Sequence, residues 1–276
     1  MAGPPKPGKA PGSRYQAAKA GGLQRQKGIY VYGIVPAEAE LAAEVPGVGD
    51  PPGRVRVVRS GGVAALISEV DLAGPLGSPG DLRAHMTVLD ATAAELPVLP
   101  LRFGAVLASE DAVVTELLAD NQVGFAAALN ELSGRAEFVV KGRYVQQAIL
   151  GEILAENKRA ARLRDNIRRV DPDATRHSRI ELGQIINAAI TAERQQDTRA
   201  LMQAMAGHCV ASVVREPTHE LDAVHAAFLA EAAQEPGMRQ VIEHLARAQE
   251  GRIELRLLGP MAAYDFAGTT PTAGMT

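Results

Sequence analysis

The order in which strand-like and helix-like segments follow one another constrains this chain more than any single motif. Ile29-Tyr-Val-Tyr-Gly-Ile-Val35 is β-branched and aromatic, stops at Pro36, and reads as a strand. Arg54-Val-Arg-Val-Val58 and Val63-Ala-Ala-Leu-Ile-Ser-Glu-Val70 flank Ser60-Gly61-Gly62, which is the signature of a β-hairpin. Ser78-Pro79-Gly80-Asp81 then reads as a helix start: Ser78 can cap, Pro79 suits the first turn, and Asp81 complements the helix dipole. Leu82, Met86, Leu89, Ala93 and Leu96 follow at helical spacing and form one face, expected to be buried. Pro97 and Pro100 bracket the apolar run Val98-Leu-Pro-Leu-Arg-Phe103, an expected edge strand because proline is tolerated there. Ser109-Glu110-Asp111 opens another helix, with an apolar face from Val113 to Leu132 and an expected break near Gly124. Residues 29–132 therefore give β, β-hairpin, α, β, α, with helices expected on one side of a largely antiparallel sheet.

Ser133-Gly134 marks a domain boundary, and a second block follows. Glu137-Phe-Val-Val-Lys141 through Tyr144-Val145 reads as a strand. Ile149, Ile153, Leu154, Leu163 and Ile167 mark one helical stretch. Leu182, Ile185, Ile186, Ala189 and Ile190 mark a second, with Asp171-Pro172 between the two and Asp173 placed to cap. Cys209-Val-Ala-Ser-Val-Val214 is an expected strand. The alanine content of Ala223–Ala230 favours helix, but its length, and Pro236-Gly237 just ahead of the clear helix of Met238, Val241, Ile242 and Leu245, favour a returning strand. Ile253-Glu-Leu-Arg-Leu257 alternates as a last strand. This order, β, α-α, β, β, α, β, is ferredoxin-like with an enlarged helical crossover. The expected organisation is α+β: a basic, disordered arm over 1–28, an N-terminal α+β domain over 29–132, a C-terminal α+β domain over 133–267, and a flexible tail over 268–276.

Charge narrows the choice of partners. The net charge of −3 combines 29 Lys+Arg with 32 Asp+Glu. Lys6, Lys9, Arg14, Lys19, Arg25 and Lys27 all lie in the first 28 residues, which contain no acid and many Pro and Gly. Such a segment cannot bury enough apolar surface to offset its ordering entropy. The remaining body is acidic, which argues against nucleic acid as its partner. The single cysteine, Cys209, excludes a disulfide scaffold and a four-thiolate metal site. No run approaches the length of a membrane span.

Catalytic and cofactor motifs are missing. Gly47-Val-Gly49 opens no helix and lacks the third glycine of a dinucleotide fingerprint. The six histidines form no zinc-protease spacing, and neither a nucleophile elbow nor a phosphate-cradling loop occurs. The expectation is therefore no catalytic residue, no metal and no cofactor. Arg102 is unusual, since it stands in an apolar run that ends in Phe103-Gly104. A buried unpaired arginine is costly, so Arg102 either pairs internally, guards a sheet edge, or marks a contact surface.

Several segments, taken in order, resemble the gas vesicle protein F/L family. They are Tyr30-Val-Tyr-Gly-Ile-Val-Pro36, Gly61-Gly62 through Val70, His85-Met-Thr-Val-Leu-Asp90 and Pro97-Val-Leu-Pro-Leu-Arg-Phe-Gly104. At the far end they are His225-Ala-Ala-Phe-Leu229, Ile253 through Pro260, and Tyr264-Asp-Phe266. The resemblance implies two α+β domains, the first a modified ferredoxin-like one. It also implies a non-enzymatic accessory or assembly role at the gas vesicle in the cytoplasm, with the small hydrophobic shell protein and other accessory proteins as partners. Arg102, Phe103, Tyr264 and Phe266 are the candidate protein-contact residues. Tandem ferredoxin-like domains also suit a small-ligand-binding or regulatory module, which stands as the alternative.

Overall fold

The structure is a computed structural model and describes residues 27–41, 45–74, 76–171 and 174–267. The expected basic arm up to residue 26 and the expected tail from residue 268 lie outside the described residues. Lys27 and Gly28, assigned to the arm by sequence, instead open the first strand, β1 (Lys27–Pro36). There Lys27 Nζ donates to Glu69 Oε2 at 2.7 Å.

β2 (Arg56–Ser60) and β3 (Val63–Asp71) form the expected hairpin, turning at Gly61 with φ 58°. α1 (Pro79–Ala93) follows, then the two short strands β4 (Leu99–Pro100) and β5 (Val106–Leu107). The next helix begins as α2 (Glu110–Ala112), widens into a π-helical segment over Val113–Ala119, and ends as α3 (Asp120–Leu132). The expected break at Gly124 does not occur; the irregularity is the π segment, one turn earlier.

The first sheet is antiparallel in the order β2-β3-β1-β4, with β5 also paired to β1. β3 runs Val63-Ala-Ala-Leu-Ile67 without a polar residue, so both of its faces need cover. The helices accordingly lie on opposite faces, which corrects the one-sided expectation. Val88 and Leu89 of α1 pack with Tyr30, Tyr32 and Leu66. Val113, Leu118 and Leu129 pack with Ile29, Val31 and Ile67 on the other face. A register shift between Val31 and Gly33 places a bulge at Tyr32. Beyond it Val35, not Ile34, continues the face of Tyr30 and Tyr32.

The second sheet contains β6 (Arg135–Tyr144), β7 (Ala211–Val214), β8 (Asp222–Glu231) and β9 (Ile253–Met261). Its order is β7-β8-β6-β9, with every neighbour antiparallel. This is the ferredoxin-like arrangement read from the sequence. Residues 223–230 are strand, and their Phe228 lies opposite Phe138 of β6. The crossover is larger than expected, with three helices: α4 (Gln146–Glu156), α5 (Lys158–Arg169) and α6 (Arg176–Met205). Asn157 creates the extra boundary, because its Oδ1 accepts from the amides of Arg159 and Ala160 and so caps α5. α7 (Glu235–Ala248) precedes β9. Leu201, Met205, Met238 and Ile242 of α6 and α7 cover Phe138 and Phe228.

One cation fixes the base of this layer. Arg252 donates to Glu152, Glu193 and Asp197 at 2.7–2.9 Å and sits 5.4 Å above the Tyr144 ring, while Tyr144 Oη donates to Asp197 at 2.6 Å. The two sheets are not separated by solvent. Val139, Ala227, Leu229, Ala263 and Phe266 join the apolar cluster of Ile29, Leu99 and Leu132. Cys209 precedes β7 rather than starting it; its thiol is half-buried, donates to the Met205 carbonyl, and is pushed up by burial.

Candidate protein-contact site

The run from Leu99 to Leu107 lies along the outer edge of β1, as expected, but as two fragments around a protruding loop. Ile34 pairs with Leu99 and Gly33 with Pro100; further on, Tyr30 pairs with Val106 and Ile29 with Leu107. Gly33 permits this approach, since a Cβ there would stand 2.8 Å from the Leu99 carbonyl oxygen. Between the fragments the chain turns through Gly104 at φ 89°, a conformation that favours glycine.

Arg102 is displayed on that loop. Its side chain is exposed and has no ion pair or hydrogen bond among the described residues, so the internal pairing that sequence left open is not what the fold uses. Phe103 is half-buried and meets the His85 ring edge-on, with centroids 5.5 Å apart.

α1 holds the loop in place. Its capping box is complete: Asp81 N donates to Ser78 Oγ, and Ser78 N to Asp81 Oδ2. Asp81 also accepts from Gly49 N at 3.0 Å, and this amide, with others, holds its carboxyl below the usual range. One turn on, His85 is buried between Tyr30 and Tyr32, stacked on the latter at 5.8 Å. Tyr30 Oη accepts from Gly104 N at 3.0 Å and lies 3.0 Å from His85 Nδ1. A donor–acceptor chain is complete if His85 carries its proton on Nε2, which is the tautomer that lets Nδ1 accept from Tyr30. Burial pushes His85 down, so the ring is neutral, and pushes Tyr30 up to about 12. Loop, strand and helix are thus joined by uncharged groups.

Five residues along α1, Asp90 holds the closing segment. Its Oδ1 accepts from Ala262 N and from Tyr264 Oη, both at 3.0 Å. Tyr264 is half-buried, and burial together with the Asp90 charge pushes its hydroxyl up. Phe266 is only 6% exposed and belongs to the seam between the sheets. Its ring is therefore an internal packing element rather than open contact surface. Beside it, Asp265 N donates to Glu137 Oε2 at 2.8 Å, while Arg215 reaches both Glu137 Oε1, at 2.7 Å, and the Asp265 carboxylate. Glu137 is fully buried; burial pushes it up to about 7 against the opposing pull of the Asp265 amide and Arg215.

The structure therefore joins two groups of candidates that are more than 150 residues apart. Phe103, next to the exposed Arg102, lies against one turn of α1 at His85, and Tyr264 against the next at Asp90. Leu82 and Met86 of that helix are 47% and 40% exposed, and Tyr264 Oη reaches toward the Met86 carbonyl. Sequence reasoning placed Leu82 and Met86 on the buried face and gave no role to His85, Asp90, Glu137 or Arg215. Among the described residues no group of three or more His, Cys, Asp or Glu is placed to hold a metal ion, and no helix is long and apolar enough to cross a membrane.

The family profile described as "Gas vesicle synthesis protein GvpL/GvpF" matches residues 28–268. The chain belongs to the GvpL/GvpF family. Gas vesicle protein F of Streptomyces sp. (strain CB03234) is 31% identical over 245 residues, covering 86% of this chain and 98% of that relative. Gas vesicle protein L of the same strain is 28% identical over 268 residues, covering 87% and 92%. The crystal structure of GvpF from Anabaena sp. PCC7120 superposes with a TM-score of 0.71 at 25% identity, covering 87% of this chain and 98% of that one. Four of the segments by which the sequence resembles the GvpL/GvpF family meet around α1: Tyr30–Pro36, His85–Asp90, Pro97–Gly104 and Tyr264–Phe266.

Proposed function

We propose that this GvpL/GvpF family member is a non-enzymatic gas vesicle assembly factor that binds the small hydrophobic shell protein before it joins the growing wall. A shell subunit with open strand edges and apolar faces is an aggregation hazard, and a partner that covers those faces suppresses it. The observation that carries the reading is the pairing of exposed Leu82 and Met86 with the fixed loop that displays Arg102 and Phe103. Apolar side chains on a helix supply area, and a free guanidinium supplies orientation. The β4–β5 edge itself is poorly suited to strand addition: it is interrupted, and Pro100 has no N–H to donate. Contact is therefore made by side chains of α1 and the loop.

Tyr264 lies at the margin of this surface, and Phe266 contributes by keeping the closing segment seated. The factor works at the gas vesicle, alongside other accessory proteins. The test is co-purification with the shell protein. Wild type should retain it. A triple variant Leu82→Ser/Met86→Ser/Arg102→Ala should lose it while keeping its melting temperature within a few degrees. Unchanged retention by the folded triple variant would reject this surface.

A further inference from the structure

α5 and the start of α6 form a strongly basic projection from an otherwise acidic body. Residues 158–179 contain eight Lys or Arg and three Asp. Lys158, Arg162 and Arg169 fall on one side of α5, opposite the buried Ala160, at positions separated by about one or two helical turns. Arg176 and Arg179, in the first turn of α6, add two further exposed cations to the same helix pair. All five are exposed and have no ion-pair partner among the described residues, unlike Arg159, which binds Glu181, and Arg164, which binds Asp165. The α5 row from Lys158 to Arg169 is about 16 Å long at 1.5 Å per residue.

The opposite surface lies in the first half of the chain. Between Arg102 and Arg135 there are five acids and no Lys or Arg. Glu110 is taken up by Arg56, but Asp111, Glu116 and Asp120 are exposed and unpaired among the described residues. They span about 13 Å along the helix that runs from α2 to α3. Val123, one turn beyond, is 85% exposed, the most exposed large apolar side chain among the described residues. On the basic side, Val170 and Ile180 are likewise exposed beside Arg169 and Arg179. Each surface thus combines several unpaired like charges with an exposed apolar side chain at one end, and the two have opposite sign and similar length.

We propose that the basic α5–α6 projection of one copy docks on the acidic α2–α3 helix of a second copy, so that the protein associates head to tail. The occupant is a second copy because the complementary row is on this chain itself, and because the acidic body repels anionic vesicles and nucleic acid. The contact is heterologous, so each copy keeps one free projection and one free acidic helix, and association continues until a ring closes or a filament grows. It needs neither the loop at Arg102 nor the shell protein, so it stands or falls apart from the proposed function.

The test is sedimentation velocity on the full chain. Wild type should associate at low salt and dissociate toward monomer at about 1 M salt, where charges are screened beyond about 3 Å. Arg162→Glu/Arg169→Glu and Glu116→Lys/Asp120→Lys should each be folded and monomeric at low salt, with association weakened at least about tenfold, or about 1.4 kcal/mol. An equimolar mixture of the two should associate again, since every contact then joins opposite charges. A wild type that stays monomeric at low salt, a charge-reversed variant that associates like wild type, or a mixture that stays monomeric would overturn the proposal. So would loss of association on removing residues 1–26, with the α5–α6 patch intact.

Discussion

The two sheets hold their polar interiors by different chemistry. Around β1 the buried partners are neutral: Tyr30, Tyr32, His85 and Ser68 exchange hydrogen bonds with one another and with the amides of Val48 and Gly104. Along β6 the partners are charged, with Glu137 fully buried and the others half-buried or at the surface: Glu137 with Arg215 and Asp265, and Arg252 with three carboxylates at the strand's far end. Neutral networks hold position with little dependence on salt or pH. Buried ion pairs are penalised by desolvation and fail badly when one partner is lost. The loop that displays Arg102 hangs on the neutral network. The closing segment that seals the two sheets hangs on the charged one.

The comparison breaks most visibly at Arg215. Arg215→Ala should destabilise the fold by about 3 kcal/mol above pH 7, since it leaves a buried carboxylate without its cation. The loss should shrink below pH 6, where Glu137 takes up a proton. Urea denaturation at both pH values checks this. Next in size, Tyr30→Phe should cost about 1–2 kcal/mol, because Gly104 N–H and His85 Nδ1 both lose a buried partner. That cost should be the same at pH 7.5 and pH 8.5, where a histidine shifted down and a tyrosine shifted up both stay neutral.

Glu137 sharpens the contrast further. Its folded-state pKa, about 7, lies above the ordinary value of 4.5. Between these values the folded chain keeps a proton that the unfolded chain has released, so this group's contribution to stability is greatest below about pH 4.5 and falls until about pH 7. The stability of wild type relative to Glu137→Gln should therefore decline as pH rises through that window and level off above it. A difference that rises with pH would mean that Arg215 dominates over burial. The smallest stability effect is expected at Arg102: Arg102→Ala should change unfolding by less than about 0.5 kcal/mol, as an exposed, unpaired side chain.

Local chemistry made much of this fold legible. The Ser78 cap, the Gly61-Gly62 hairpin, the proline-bracketed edge and the order of the second sheet all follow from nearest-neighbour signals. Three features depended on long-range facts instead. The apolar run of β3 could be read as a strand, but which of its faces would receive a helix could not. The π segment leaves the apolar spacing of Val113, Val114, Leu117 and Leu118 compatible with ordinary helix. Glu137 looks like any polar residue at a strand start, because its partners are 78 and 128 positions away.

The proposed contact site is half legible in the sequence. Arg102 stands out there as an arginine in an apolar edge. The exposure of Leu82 and Met86 does not, because α1 is covered on the side facing Tyr30 and Leu66 and bare on a side that helical spacing alone assigns inward. Phe266 is aromatic and near the end of the chain, which made it resemble a contact residue. Its packing against Leu99 and Leu132 residues across the seam makes it internal.

The most direct measurement is an affinity comparison with purified shell protein. Wild type is set against Leu82→Ser/Met86→Ser/Arg102→Ala, with Arg215→Ala as a variant disturbed only at the charged latch. The account predicts at least about a tenfold weaker Kd, or about 1.4 kcal/mol, for the triple variant at unchanged melting temperature, with a much smaller change for Arg215→Ala under conditions where it is folded. Equal affinity of wild type and the folded triple variant would contradict it.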